Sequence, residues 1–277
     1  MKARVISGLV ALFLLVFVYI FQGLPVYILL FLLSSLMFYE FLNISNKKVT
    51  TGYYLICALF TFLYYANLYL TIHLSIIPRE YLYTINILIM VFFTLTILTA
   101  SVFYKIKTLN EVAYAVFGFL YTVILLSFTV LILSMDKGYY LFVYVWLGAL
   151  GCDIWAFIIG NKYGKRKIIK EVSPNKTVEG AIGGAIGSII MVTLYTIALN
   201  YFFQETIVKW YVLFLLYFPV AILSQFGDWC ASFIKREFKA KDFGKIMPGH
   251  GGALDRLDSI IFIIPSVYLI LSLVGLS

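Results

Sequence analysis

The sequence predicts an all-α polytopic membrane protein, and three observations carry that prediction. Hydrophobic residues make up 63% of the 277 residues and charged residues 12%, with a mean hydropathy of +0.99, which leaves too few polar side chains to cover a water-soluble surface. Apolar windows of about twenty residues, the length a bilayer core demands, recur along the whole chain. The basic residues gather in alternate loops between those windows.

The windows lie near 5–21, 24–42, 53–74, 83–103, 112–134, 139–159, 181–203, 210–227 and 258–276, about nine transmembrane helices. The first begins Met-Lys-Ala-Arg and runs apolar to Ile20, as a secretory signal peptide would. No small-x-small cleavage pattern precedes Gln22 and the next run starts at Leu24, so a retained first span is expected. With nine spans, Arg79, Lys137 and Lys209 fall on one side and the rest of the 21 lysines and arginines on the other. The positive-inside rule then sets the N-terminus and the polar loops near 161–179 and 228–250 in the cytoplasm, with the C-terminus on the outer side of the cell membrane. An even number of spans scrambles this asymmetry. The net charge of +8 follows from topology and from attraction to anionic membrane lipids, and gives no ground for nucleic acid as a partner. A single membrane domain over 1–277 is expected, with 1–135 as transmembrane scaffold and 136–277 as the catalytic half.

The first half offers little chemistry. Glu40, Glu80, Glu111 and Asp136 fall at span ends or in loops, where solvated carboxylates are expected, and His73 reads as an interfacial residue. Cys57, Cys152 and Cys230 stand apart, without paired or metal-ligand spacing, and read as small apolar filler.

The second half carries the polar groups. Asp153 is an acid well inside a predicted span, an expensive position whose default reading is functional, the rival being a hydrogen bond between helices. In Ser173-Pro-Asn-Lys176-Thr177-Val-Glu179-Gly180, either Ser173 or Thr177 suits a helix cap, Glu179 suits the first turn, and Lys176 is a cation for phosphate. Gly180 with Gly184, and Gly183 with Gly187, form two small-xxx-small registers that predict close helix packing, which would fix Asp153 against Asp228.

The densest polar stretch runs from Gly227 to Ser259. Asp228, Ser232 and Lys235 are spaced by four and three, and Arg236 extends the stripe, so one helix face offers a carboxylate, a hydroxyl and cations. Asp255 and Asp258 lie one turn apart on another helix, a face suited to a divalent cation. Ahead of them Pro248-Gly249-His250-Gly251-Gly252 forms a turn that allows close backbone approach and feeds a helix start able to attract phosphate. Arg256 either binds phosphate or neutralises its aspartate neighbours, and His250 either donates to phosphate or shapes the turn.

Ser232 to Arg236, Lys241-Asp242-Phe-Gly244 and Pro248 to Asp258 together resemble the signature of the phosphatidate cytidylyltransferases, the CDP-diacylglycerol synthases. Met247 and Ala253 replace other apolar residues of that pattern, and Ile154 and Trp155 depart from the hydroxyl and aromatic residues that follow the family's counterpart of Asp153. The resemblance implies transfer of a cytidylyl group from CTP to phosphatidic acid, with Mg2+ as one ion or two, and a homodimer. It implies Asp228, Asp255, Asp258 and Asp153 as metal ligands, with Asp228, Lys235, Asp255 and Asp258 catalytic. Phosphates would be held by Lys176, Ser173, Ser232, Arg236, His250, Gly251, Gly252 and Arg256. Two rivals stand beside it: a CTP-dependent kinase of a polyprenol-type lipid, and a polytopic transporter, against which count the lack of an internal repeat and the gathering of polar groups in one half.

Overall fold

The structure, a computed structural model, describes residues 16–45, 51–103, 109–169, 173, 175–245 and 251–276. Among these, eight helices are long and apolar enough to cross a membrane: α1 (Leu24–Asn43), α2 (Thr51–His73), α3 (Arg79–Phe103), α4 (Leu109–Leu133), α5 (Gly138–Tyr163), α6 (Val178–Phe203), α7 (Trp210–Glu237) and α8 (Leu254–Leu273). None of the described residues lies in a β-strand. The all-α polytopic fold is therefore present. The expected span at 5–21 falls mostly outside the described residues, of which 16–20 are helical.

Local sequence accounts for several helix ends. Gly23 takes a positive φ of 76° before α1, and a proline occupies its first turn, where a missing N–H costs nothing. Thr177 caps α6, its Oγ1 accepting the Gly180 N–H at 3.2 Å. α7 runs ten residues beyond its expected end at 227. At 28 residues it is about 42 Å long, more than a bilayer core needs, so its polar last turns extend past the apolar part.

The chain forms two compact units, Met1–Val130 with Ala240–Arg256, and Leu131–Lys239 with Leu257–Ser277. In the first, Phe38, Phe93 and Phe119 make an aromatic core, Phe93 stacking on Phe119 at 4.5 Å. Polar pairs tie its helices: Ser34 with the Tyr65 hydroxyl at 2.7 Å, both buried, and the Asn67 amide donating to Asn86 Oδ1 at 2.9 Å. Phe41 stacks on Phe243 with ring centroids 6.3 Å apart, which docks the 240–245 segment against α1.

In the second unit the glycine registers of α6 face α5. A Cβ on Gly184 would meet the Cys152 carbonyl at 2.7 Å, and one on Gly180 the Ala156 carbonyl at 2.8 Å, so only glycine permits this approach. The expectation of close packing holds. The Tyr217 hydroxyl of α7 donates to the Tyr144 carbonyl of α5 at 2.6 Å, and the Tyr144 hydroxyl pairs with Thr196 of α6 at 3.1 Å. Gln225 of α7 donates to the Ala181 carbonyl of α6 at 2.9 Å.

Candidate active site

Three helices and one loop of the second unit assemble a charged cluster. The tight α5–α6 seam fixes the helix that carries Asp153, whose side chain is exposed and has Asp228 and Lys176 as electrostatic neighbours. Lys176 enters from the loop before α6. That loop is shaped by a β-bridge between Lys167 and Thr177 and by Glu179, whose Oε2 accepts the Lys165 and Arg166 N–H groups at 2.9 and 3.2 Å. The Lys176 ammonium pairs with Asp228 Oδ2 and lies 5.8 Å from the centre of the Trp229 ring.

α7 carries Asp228, Ser232, Lys235 and Arg236 on its last turns. Ser232 Oγ reaches Asp228 Oδ1 at 3.5 Å, Lys235 follows on the buried side, and Arg236 is exposed. α8 meets α7 at Gly227, where a Cβ would stand 2.8 Å from the Asp258 carbonyl and 3.0 Å from Ser259 Cα. This backbone contact sets Asp258 beside Asp228. Asp258 is 8% exposed and Lys235 9%, and the electrostatic neighbours of Asp258 are Asp228, Lys235 and Asp153. Its Oδ1 accepts the Ser259 N–H at 2.8 Å. A buried carboxylate and a buried ammonium within range of each other offset part of the cost of burying either.

Ser173 is half-buried, its carbonyl accepting the Lys176 N–H at 3.3 Å, and the cap expected of either hydroxyl falls to Thr177. Arg256 is exposed. His250 lies outside the described residues.

Asp255 belongs to a different constellation, in the first unit. Its Oδ2 accepts the Phe243 N–H at 2.8 Å and the Gly252 N–H at 2.9 Å, and Gly251, at φ 85°, packs against it. Beside it is a residue whose role the sequence did not reveal. Glu40, expected to be solvated, is 2% exposed, and its two carboxylate oxygens accept the N–H groups of Ala253 at 3.0 Å and Leu254 at 2.9 Å. The start of α8 was expected to attract phosphate. In this structure its amides are accepted by two of the protein's own carboxylates, since a buried N–H takes the nearest acceptor.

Among the described residues, no three Asp, Glu, His or Cys side chains close around one point as a full protein ligand set would. Mg2+ at a nucleotide site is commonly held by one or two carboxylates, with phosphate oxygens and water completing the shell. One or two of the hard oxygen donors Asp153, Asp228 and Asp258 would fit that arrangement.

The sequence profile of the cytidylyltransferase family matches residues 2–274. The chain belongs to the cytidylyltransferase family. Among members of that family it is 30% identical over 284 residues to the phosphatidate cytidylyltransferase of Bacillus subtilis, covering 99% of this chain and 98% of the relative. The phosphatidate cytidylyltransferase of Staphylococcus haemolyticus is 30% identical over 271 residues, 98% of this chain and 99% of the relative. That of Thermotoga maritima is 37% identical over 118 residues, 43% of this chain and 44% of the relative.

Proposed function

We propose that this chain is a phosphatidate cytidylyltransferase, transferring the cytidylyl group of CTP to phosphatidic acid and releasing pyrophosphate. The observation that carries the reading is the convergence of Asp153, Asp228 and Asp258 with Lys176 and Lys235, in a chain matched to the family along almost its whole length. The basic loops support a cytoplasmic active site and N-terminus in the cell membrane.

Both substrates are anions, so the first task is to cancel their repulsion. A phosphatidate oxygen forms a bond to the α-phosphorus of CTP, the bond from that phosphorus to the bridging oxygen breaks, and its electron pair leaves with pyrophosphate. A phosphate monoester is already ionised near neutral pH, so no general base is required. Lys176 is a long, half-exposed side chain whose partner in this structure is Asp228, so an incoming phosphate has only to draw the ammonium across. Lys235, held beside Asp258, supplies fixed positive charge as negative charge gathers on the leaving group. Mg2+, when bound, would neutralise the triphosphate and orient it for displacement. One or two of Asp228, Asp258 and Asp153 would hold it, with phosphate oxygens and water completing the shell.

The decisive assay gives purified protein Mg2+, phosphatidic acid and CTP labelled at either the α or the γ position. Label from the α position is expected in the lipid. Label from the γ position alone would make the protein a lipid kinase, and no label in lipid from either would overturn the reading.

A further inference from the structure

We propose that Glu40 is a positioning residue for this reaction, a built-in anion that holds the first turn of α8, and that Gly244 and Gly252 are glycines in order to admit it. The inference rests on the cytidylyl-transfer reading only where it concerns turnover.

Glu40 sits in the penultimate turn of α1, 2% exposed, with Phe38 and Phe41 buried on either side. A carboxylate at that depth needs compensation, and the first turn of α8 provides it through two N–H groups and the positive end of the helix dipole. The fit is close. A Cβ on Gly244 or on Gly252 would collide with Glu40 Oε1, and on Gly252 with Oε2 as well. Neither glycine has a positive φ, so what forbids a side chain there is the carboxylate and not the backbone conformation. Asp255 completes the lock by joining the Phe243 and Gly252 amides. Four amides on two carboxylates thus tie Phe243 to residues 252–254, and Phe243 adds its ring against Phe41. The first turn of α8, the helix that goes on to carry Asp258, is set by a residue more than two hundred positions away in the sequence.

This reading separates from the one in which the glycines make room for substrate phosphate. If they make room for Glu40, Gly252→Ala is harmful because of Glu40, and removing Glu40 removes most of that harm. The test is a double-mutant cycle with Glu40→Ala, Gly252→Ala and the pair, measured as kcat and as KM for CTP. Each single variant is expected to lose about tenfold or more in kcat with KM for CTP within about threefold, and the pair to be no worse than the poorer single. Multiplying losses would assign Gly252 to the substrate and overturn the proposal.

A second readout needs no turnover. Amide hydrogen exchange in the peptide covering 251–256 is expected to rise in Glu40→Gln, whose NH2 cannot accept one of the two N–H groups, while exchange in α5 and α6 stays unchanged. Unchanged exchange at 251–256 would overturn the proposal even if the wild type were active. A wild type inactive in cytidylyl transfer with exchange raised as expected would sink the functional reading and leave the positioning role intact.

Discussion

The two polar constellations of this protein treat their carboxylates in opposite ways. Around Glu40 the charge is met by backbone amides, which cannot move without unwinding a helix turn. Around Asp228 it is met by the ammonium of Lys176, at the end of a flexible side chain, while Asp258, whose Oδ1 also accepts the Ser259 N–H, has the buried Lys235 as counter-charge. Amides make a carboxylate part of the scaffold. A lysine ammonium leaves it available, because a phosphate can draw the lysine away and a cation can replace it.

The strongest way to break this comparison is Asp228→Asn. Asp228 is 30% exposed at its side chain, so the change leaves no deeply buried lysine unpaired, unlike Asp258→Asn beside Lys235. Turnover is expected to fall by ~10³-fold with detergent-solubilised melting unchanged, read as CDP-lipid formed per minute. Activity within tenfold of wild type would return Asp228 to the scaffold class. Next in size is Lys176→Met, expected to lower kcat/KM for CTP by ~10²-fold, mostly through KM, since its ammonium is the mobile partner that phosphate replaces. A pure kcat effect would mean that Lys176 acts on the leaving group instead.

How much of this was legible follows from how far apart the interacting residues are. The membrane helices could be read because composition reports on solvent, and the stripe of Asp228, Ser232 and Lys235 because spacings of four and three are local to one helix. The end of α7 could not: an apolar window measures lipid thickness, and the helix continues to Glu237 beyond it. Glu40 was invisible for a deeper reason. Its acceptor role depends on amides 213 and 214 residues away, and amides carry no side-chain identity. The available signal was indirect, an acid inside a dense aromatic run, Met-Phe-Tyr-Glu-Phe.

Gly227 tests the packing that brings charges together. Its missing Cβ lets α7 touch the Asp258 carbonyl and Ser259 Cα, both backbone atoms that cannot swing aside. Gly227→Ala is expected to push the two helices apart by a few tenths of an ångström and to lower kcat about tenfold, since displacement of an oriented group by that order is costly. Wild-type kcat in this variant would show that the spacing of Asp228 and Asp258 is not critical.

The smallest effect sharpens the boundary between holding a loop and doing chemistry. Thr177 caps α6 while its neighbour Lys176 reaches Asp228, so the two residues adjoin in sequence but differ in task. Thr177→Ala removes one side-chain acceptor and is expected to cost about 1 kcal/mol of stability, seen as a lower melting temperature in detergent. The Lys167 bridge and the Glu179 contacts to Lys165 and Arg166 are backbone-anchored and survive the change, so the loop still presents Lys176. Turnover at a temperature well below melting should therefore stay within about twofold of wild type. A much larger loss, without a matching loss of stability, would mean that the cap sets the reach of Lys176, and that this loop is as finely positioned as the start of α8.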